Sequence, residues 1–162
     1  MNLLYYPNKF LEKQVDPVDL QNPGFNPVDL KKEMTDLMLS SNGIGLAANQ
    51  IGMNAQVFVI GDSSINSTIM INPTILQYTE ETIDGNEGCL SFPDIYVKVK
   101  RPKEILAKFW DENLEEVVTK LEGPTAKVYL HELDHLLGIT IKDRVSKLKW
   151  DMAKKKSLKL SK

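Results

Sequence analysis

The sequence predicts an α+β fold, antiparallel strands packed around a buried helix near the C-terminal end. Three observations predict it. Helical apolar spacing occurs early and late in the chain, short β-branched or aromatic runs fill the interval, and helices do not alternate with strands as β-α-β units. At 162 residues, 42% hydrophobic and 26% charged, the chain suits one core, so a single domain over 1–162 is expected, with a short basic tail from about 146.

The elements follow in order. "NPGFNP", 22–27, reads as a rigid turn ahead of a helix. In "NPVDLKKEMTDLMLSSNG" Asn26 is an N-cap and Pro27 opens the helix, and Leu30, Met34, Leu37 and Met38 form its apolar stripe up to Gly43. The runs "QVFVI", "STIMINP", "IYVKVKRP", "EILAKFWD" and "EEVVTKLE" read as strands, with "DENLE" as a hairpin turn between the last two. A helix from about Pro124 to Leu137 follows, stopped by Gly138, with Ala126, Tyr129, Leu130, Leu133, Leu136 and Leu137 on its buried stripe. A short helix around Asp151 to Leu158 ends the chain.

Composition excludes several classes. Net charge is −2, so nothing global argues for nucleic acid. The tail is the exception: Lys147, Lys149, Lys154, Lys155, Lys156, Lys159 and Lys162 stand against Asp151 alone, which suits an anionic partner or a solvated, frayed helix. No apolar run is long enough to span a bilayer, and "MNLLYYPNKFLEK" lacks the pattern of a secretion signal, so no membrane association and no export are expected. Cys89 is the only cysteine and cannot form an internal disulfide.

Both histidines of the chain lie in "VYLHELDHLLG", 128–138. His131 and His135, four apart on a helix, project from one face and can share an ion; Glu132, about 100° further round, can reach a water at that ion. The bland alternative is two satisfied histidines on a leucine-rich helix. The donor inventory argues against it: His131, His135 and Cys89 are the only imidazole or thiol donors in the chain. Three ligands leave a fourth position open, as a catalytic ion requires. Cys89 taken alone would be an ordinary buried apolar group.

Two further stretches accompany "HELDH": "GIGLAANQIG", Gly43 to Gly52, and "EGCLS", Glu87 to Ser91. Together, in that order, they resemble the three signature motifs of the peptide deformylases, and "YYPNKFLEKQVDPV" is similar to the family's opening segment. The resemblance spans roughly Leu3 to Val145. It implies that Cys89, His131 and His135 hold one divalent ion, Fe(II) by preference with Zn(II) or Ni(II) as occupants of the same site. It implies that Glu132 is the general acid/base, and that Gln50 and the backbone N–H of Leu90 hold the oxyanion. Gly43, Ile44, Gly45, Gly88, Tyr96 and Val128 would meet the peptide, and Asp134 with Arg101 would brace the metal helix. The implied reaction removes the formyl group from the N-terminal formylmethionine of new polypeptides and releases formate, water activated at the ion attacking the formyl carbon.

A monomer is expected, in the cytoplasm, an organelle interior or an infected cell's cytoplasm, with contact to the ribosome through the basic tail. Departures from the family pattern fall at Leu130, where glutamine is common, at Asn42 in place of glutamate, at Lys127 and Tyr96 in place of arginine. Two other classes stay open: an HExxH zinc metallopeptidase whose third ligand is Asp143 or Asp151, and a non-enzymatic RNA- or ribosome-binding module with a structural metal.

Overall fold

The computed structural model describes residues 1–160. Helix α1, Pro27–Ser40, begins as its sequence dictates: Asn26 Oδ1 accepts from the N–H groups of Val28 at 2.9 Å and Asp29 at 3.2 Å, and Pro27 opens the first turn. Its end is set by Asn42, in the left-handed region at φ 59, with Gly43 N–H donating to Met38 O and Asn42 N–H to Leu39 O. That is a Schellman close with asparagine where glycine is usual. The residue that departs from the family pattern at 42 therefore has a backbone reason.

Seven strands follow: β1 Gly45–Ala47, β2 Val57–Gly61, β3 Ser67–Tyr78, β4 Thr82–Cys89, β5 Phe92–Pro102, β6 Glu104–Trp110 and β7 Glu116–Glu122. All pairings are antiparallel, in a five-stranded sheet ordered β1-β2-β3-β6-β7 and a two-stranded ribbon of β4 and β5. Helix α2, Gly123–Leu136, carries HELDH; helix α3, Lys147–Leu160, follows it. The α+β class and the antiparallel pairing expected from sequence are present.

Strand β2 explains the layering. Phe58 and Ile60 point into a core shared with Ala126, Tyr129, Leu130 and Leu136 of α2, whereas Val57 and Val59 join Leu30, Met34 and Met38 of α1. A strand covered on both faces reads as a continuous apolar run, which is why "VFVI" lacks alternation. Leu130, where the family commonly has glutamine, is buried in the α2 core and needs no polar partner there. Tyr129 is wholly buried and its hydroxyl donates to Thr74 O at 2.9 Å.

Four expectations need correction. Strands β1 and β4 carry glycine, alanine, acids and asparagine and have little strand propensity of their own; pairing to β2 and β5 makes them strands. Strand β3 does not stop at Pro73 but continues to Tyr78 past a register shift between Ile71 and Thr74. Asn72, at φ 49 in that irregularity, uses its side-chain amide to bond both N–H and C=O of Val18. Leu137, placed on the buried stripe, is 43% exposed because it is the C-cap and lies past the last turn.

The tail is also not simply frayed. Helix α3 starts at Lys147, earlier than Asp151, and its Trp150 is buried against Phe92, with Tyr6 completing an aromatic cluster at centroid separations of 5.0 to 6.3 Å. Ser161 and Lys162, the end of the predicted basic tail, lie outside the described residues. Among the described residues no helix is long and apolar enough to cross a membrane.

Candidate metal centre

Helix α2 packs against β1, β2, β6 and β7, so one face of it is buried among apolar side chains while the HELDH turn faces the β4–β5 ribbon. His131, Glu132, Asp134 and His135 are all buried. Strand β4 ends at Cys89, which brings Sγ to 3.2 Å from His135 Nε2. The ligand atoms of Cys89, His131 and His135 lie within 4.8 Å of one another. Bonds of about 2.0–2.3 Å from one ion reach such a set with small side-chain adjustments. It is the only His/Cys/Asp/Glu group of that kind among the described residues.

The acidic alternatives do not join it. Asp143 Oδ2 accepts from the N–H and hydroxyl of Thr140 and caps the 3-10 turn Ile141–Arg144, and Asp151 lies on α3 near Lys154. The fit of a metal is otherwise good. His131 Nδ1 lies 2.9 Å from Glu87 Oε2, which leaves its other ring nitrogen free to ligate. Burial pushes His135 well below the usual imidazole range, helped by the neighbouring His131, which favours the neutral ring that a ligand needs; burial would lower His131 too, but its bonds to Cys89 and Glu87 outweigh that and raise it. The buried Glu132 Oε2 has no hydrogen-bond partner among the described residues, an arrangement suited to a proton-bearing ligand. Burial raises the Glu132 carboxyl to about 7.

Glycines bring backbone and side chains together where a Cβ would intrude. A Cβ on Gly45 would stand 2.8 Å from the Glu132 carboxyl carbon, one on Gly43 would stand 2.6 Å from Leu90 Cδ1, and one on Gly88 would stand 2.7 Å from the Tyr96 ring. Gly43 needs its missing side chain for the approach of Leu90, since the left-handed position of the helix cap is taken by Asn42. Gln50 is buried with its amide fixed at both ends: Oε1 accepts from Ala47 N–H at 2.9 Å, and Nε2 lies 3.0 Å from Ser91 Oγ and 3.5 Å from Cys89 Sγ.

The expected pairing of Asp134 with Arg101 is present, and it is one link of a longer chain. Arg101, 4% exposed on β5, donates Nε and Nη2 to the two oxygens of Glu87 at 2.8 Å each and Nη1 to Asp134 at 2.6 Å. Arg144 then donates both Nε and Nη2 to Asp134. Burial works to raise the Glu87 carboxyl, but the bonds from Arg101 and His131 outweigh it and hold the group at about 2.

Every residue expected to meet a peptide, Gly43, Ile44, Gly45, Gly88, Tyr96 and Val128, lines a cleft of about 680 Å³ that also reaches Gln50, Cys89, Leu90, His131 and Glu132. His135 closes the metal cluster deeper in. Sequence reasoning missed Glu87, Ser91, Asn49 and Arg144. Asn49 donates its amide to His135 O and so fixes the end of the HELDH turn. Two of the four had a signal: Glu87 sits two before Cys89 on one strand face, and Ser91 closes the same "EGCLS" stretch.

Comparison with known proteins places this geometry. The family model for polypeptide deformylase matches residues 1–151, so the likeness runs past Val145 into α3. The peptide deformylase of Aquifex aeolicus is 39% identical over 166 aligned positions, covering 99% of this chain and 96% of the relative. That of Thermotoga maritima is 40% identical over 136, covering 82% of each. Among solved structures, a peptide deformylase from Legionella pneumophila superposes with a TM-score of 0.86 at 32% identity, covering 99% of this chain and 94% of that one. One from Synechococcus elongatus in complex with actinonin gives 0.87 at 32%, covering 97% and 85%.

Proposed function

The chain belongs to the polypeptide deformylase family, and from that premise we propose that it removes the formyl group from the N-terminal formylmethionine of newly made polypeptides, releasing formate. The observation that carries the reading is the convergence of Cys89, His131, Glu132 and Gln50 at one cleft, from three separate stretches of chain, with His135 completing the metal cluster beneath it.

Cys89 Sγ and the imidazoles of His131 and His135 would hold one divalent ion, Fe(II) as the physiological occupant with Zn(II) or Ni(II) accepted by the same donors. Such an ion supplies Lewis acidity, polarising a carbonyl oxygen and easing proton loss from water. Glu132, near 7 and short of one hydrogen-bond partner, takes a proton from the water that attacks the formyl carbon and returns it to the departing amine. The amide N–H of Gln50 and the backbone N–H of Leu90 donate to the oxygen that becomes negative. A hydrogen bond to an oxygen strengthens as that oxygen becomes negative, so both favour the tetrahedral stage over the neutral carbonyl.

Ile44, 58% exposed, and Val128 flank the methionine side chain, and Gly43, Gly45 and Gly88 leave room for the peptide backbone. Tyr96, 66% exposed with its ring over Gly88, offers the rest of the peptide an apolar rim where arginine is common in the family. We read 1–162 as one catalytic domain, monomeric and cytoplasmic. Exposed Lys155, Lys156 and Lys159 on α3 support contact with the ribosome.

The test is formate release from a formyl-Met tripeptide under anaerobic conditions, with metal analysis of the same sample. No release from protein loaded with iron, nickel or cobalt would overturn the reading.

A further inference from the structure

Gln50 raises a problem of orientation. Its amide has a donor end and an acceptor end of nearly equal size, and only the donor end stabilises a developing oxyanion; the reversed amide would present a lone pair and repel it. Burial does not choose between the two. The backbone does: Ala47 N–H, which can only donate, takes Oε1 and sets which end is which, while Ser91 Oγ, able to donate or accept, takes one of the two protons on Nε2 and fixes where that end sits. The second proton is left on the side of Cys89, whose Sγ is 3.5 Å away.

The same pair of residues is tied through the backbone. Leu4 N–H donates to Gln50 O at 2.7 Å and Tyr6 N–H donates to Ser91 O at 2.9 Å, so one extended N-terminal strap spans both. The Tyr6 ring stacks on Phe92, next to Ser91, at 5.0 Å, which holds the strap down. Gln50 and Ser91 are thus joined side chain to side chain and bridged main chain to main chain, although 41 residues separate them. Ser91 is wholly buried and lines no part of the cleft, so it does not touch substrate.

We infer that Ser91 is a positioning residue for the deformylation reaction: its hydroxyl, set by the Leu4–Tyr6 strap, fixes the Gln50 amide with its N–H toward the reacting carbonyl. The inference rests on the proposed deformylase reading. Without the hydroxyl, the Gln50 amide is held at its Oε1 end alone, its Nε2 end can swing out of line, and the oxyanion loses a donor for part of the time.

The experiment is a double-mutant cycle on metal-loaded protein, Ser91→Ala made alone and in a Gln50→Ala background, with metal content checked in each. Ser91→Ala alone is expected to lower kcat about ten- to a hundredfold with KM and metal content nearly unchanged. In the Gln50→Ala background it is expected to change kcat by less than about twofold, because there is no amide left to orient. Full kcat in the single variant, or an equal loss in both backgrounds, would overturn the inference. A second measurement needs no Ser91 variant: in zinc-loaded wild type, the Gln50 side-chain amide protons, assigned by their loss in Gln50→Ala, should exchange slowly with solvent. Exchange as fast as that of exposed side-chain amides would overturn it. Absence of formate release by the wild type instead sinks the deformylase reading, so the two failures are distinguishable.

Discussion

Replacing Arg101 by methionine tests whether the metal helix is braced from outside the ligand set. The guanidinium is buried and donates two bonds to Glu87 and one to Asp134. Methionine keeps much of the volume but leaves the Glu87 carboxylate with only His131 Nδ1 beside it, 2.9 Å away. Removing one partner of a buried pair costs about 3–5 kcal/mol. A second route agrees in size: a carboxyl held at about 2 rather than its ordinary 4.5 carries roughly 3 kcal/mol of stability at neutral pH. At about 2–4 °C per kcal/mol for a chain of this length, the melt of metal-loaded protein at pH 7 should fall by about 6–20 °C. Metal affinity should weaken about ten- to a hundredfold, since His131 loses the group that orients it. Glu87 is depressed in the folded state, so its contribution is complete above pH 4.5 and is lost as the pH falls toward 2. The variant should therefore show a shallower loss of stability across that window than wild type. A melt within about 2 °C of wild type with unchanged metal content would refute the reasoning.

The remaining predictions concern the ligands, the cleft and the aromatic cluster. Cys89→Ala should lose bound metal on dialysis, whereas Glu132→Gln should retain it and lose about 10²–10⁴ in kcat; metal kept by the first variant would restore an acidic third ligand. Gly45→Ala places a methyl 2.8 Å from the Glu132 carboxyl carbon, so kcat should fall about a hundredfold while the melt moves little. Unimpaired turnover would mean that Glu132 is not held where the proton is transferred. Trp150→Ala empties the cluster with Phe92 and Tyr6 and should cost about 3–5 kcal/mol by urea unfolding; no loss would show that α3 is a dispensable tail.

Legibility followed the range of the interactions. Helix α1 was readable because Asn26, Pro27 and the stripe of Leu30, Met34 and Met38 act within a few residues of one another. Strand β4, "TIDGNEGC", was not, because its strand character comes from pairing Ile83 with Arg101 and Glu87 with Val97 on β5. The site divides the same way. His131, Glu132 and His135 announce themselves at helical spacing, and Cys89 by being the only thiol. Ser91 and Arg144 do their work through contacts with Gln50 and Asp134 that no local spacing encodes.

The ion pairs around α2 join Arg144 and Glu87 to the pair of Arg101 and Asp134 that the sequence did suggest. From β4 through β5 and α2 to the turn at Arg144, the order is Glu87, Arg101, Asp134, Arg144: two buried acids and two guanidiniums in alternation. Each acid has a cation against it, so this chain is close to neutral as a unit and adds little net field at the ligands. The groups left outside that alternation are Cys89 and Glu132, both bordering the cleft, and each carries negative charge when it gives up its proton. Desolvated negative charge of that kind is costly unless a cation or a proton meets it. A divalent ion held by Cys89 and the two histidines would meet the charge on sulfur, and a carboxyl raised to about 7 is poised to gain and lose the proton. Were Asp134 or Glu87 unpaired, its uncompensated charge would push Glu132 up further, out of the range in which it can act as a base.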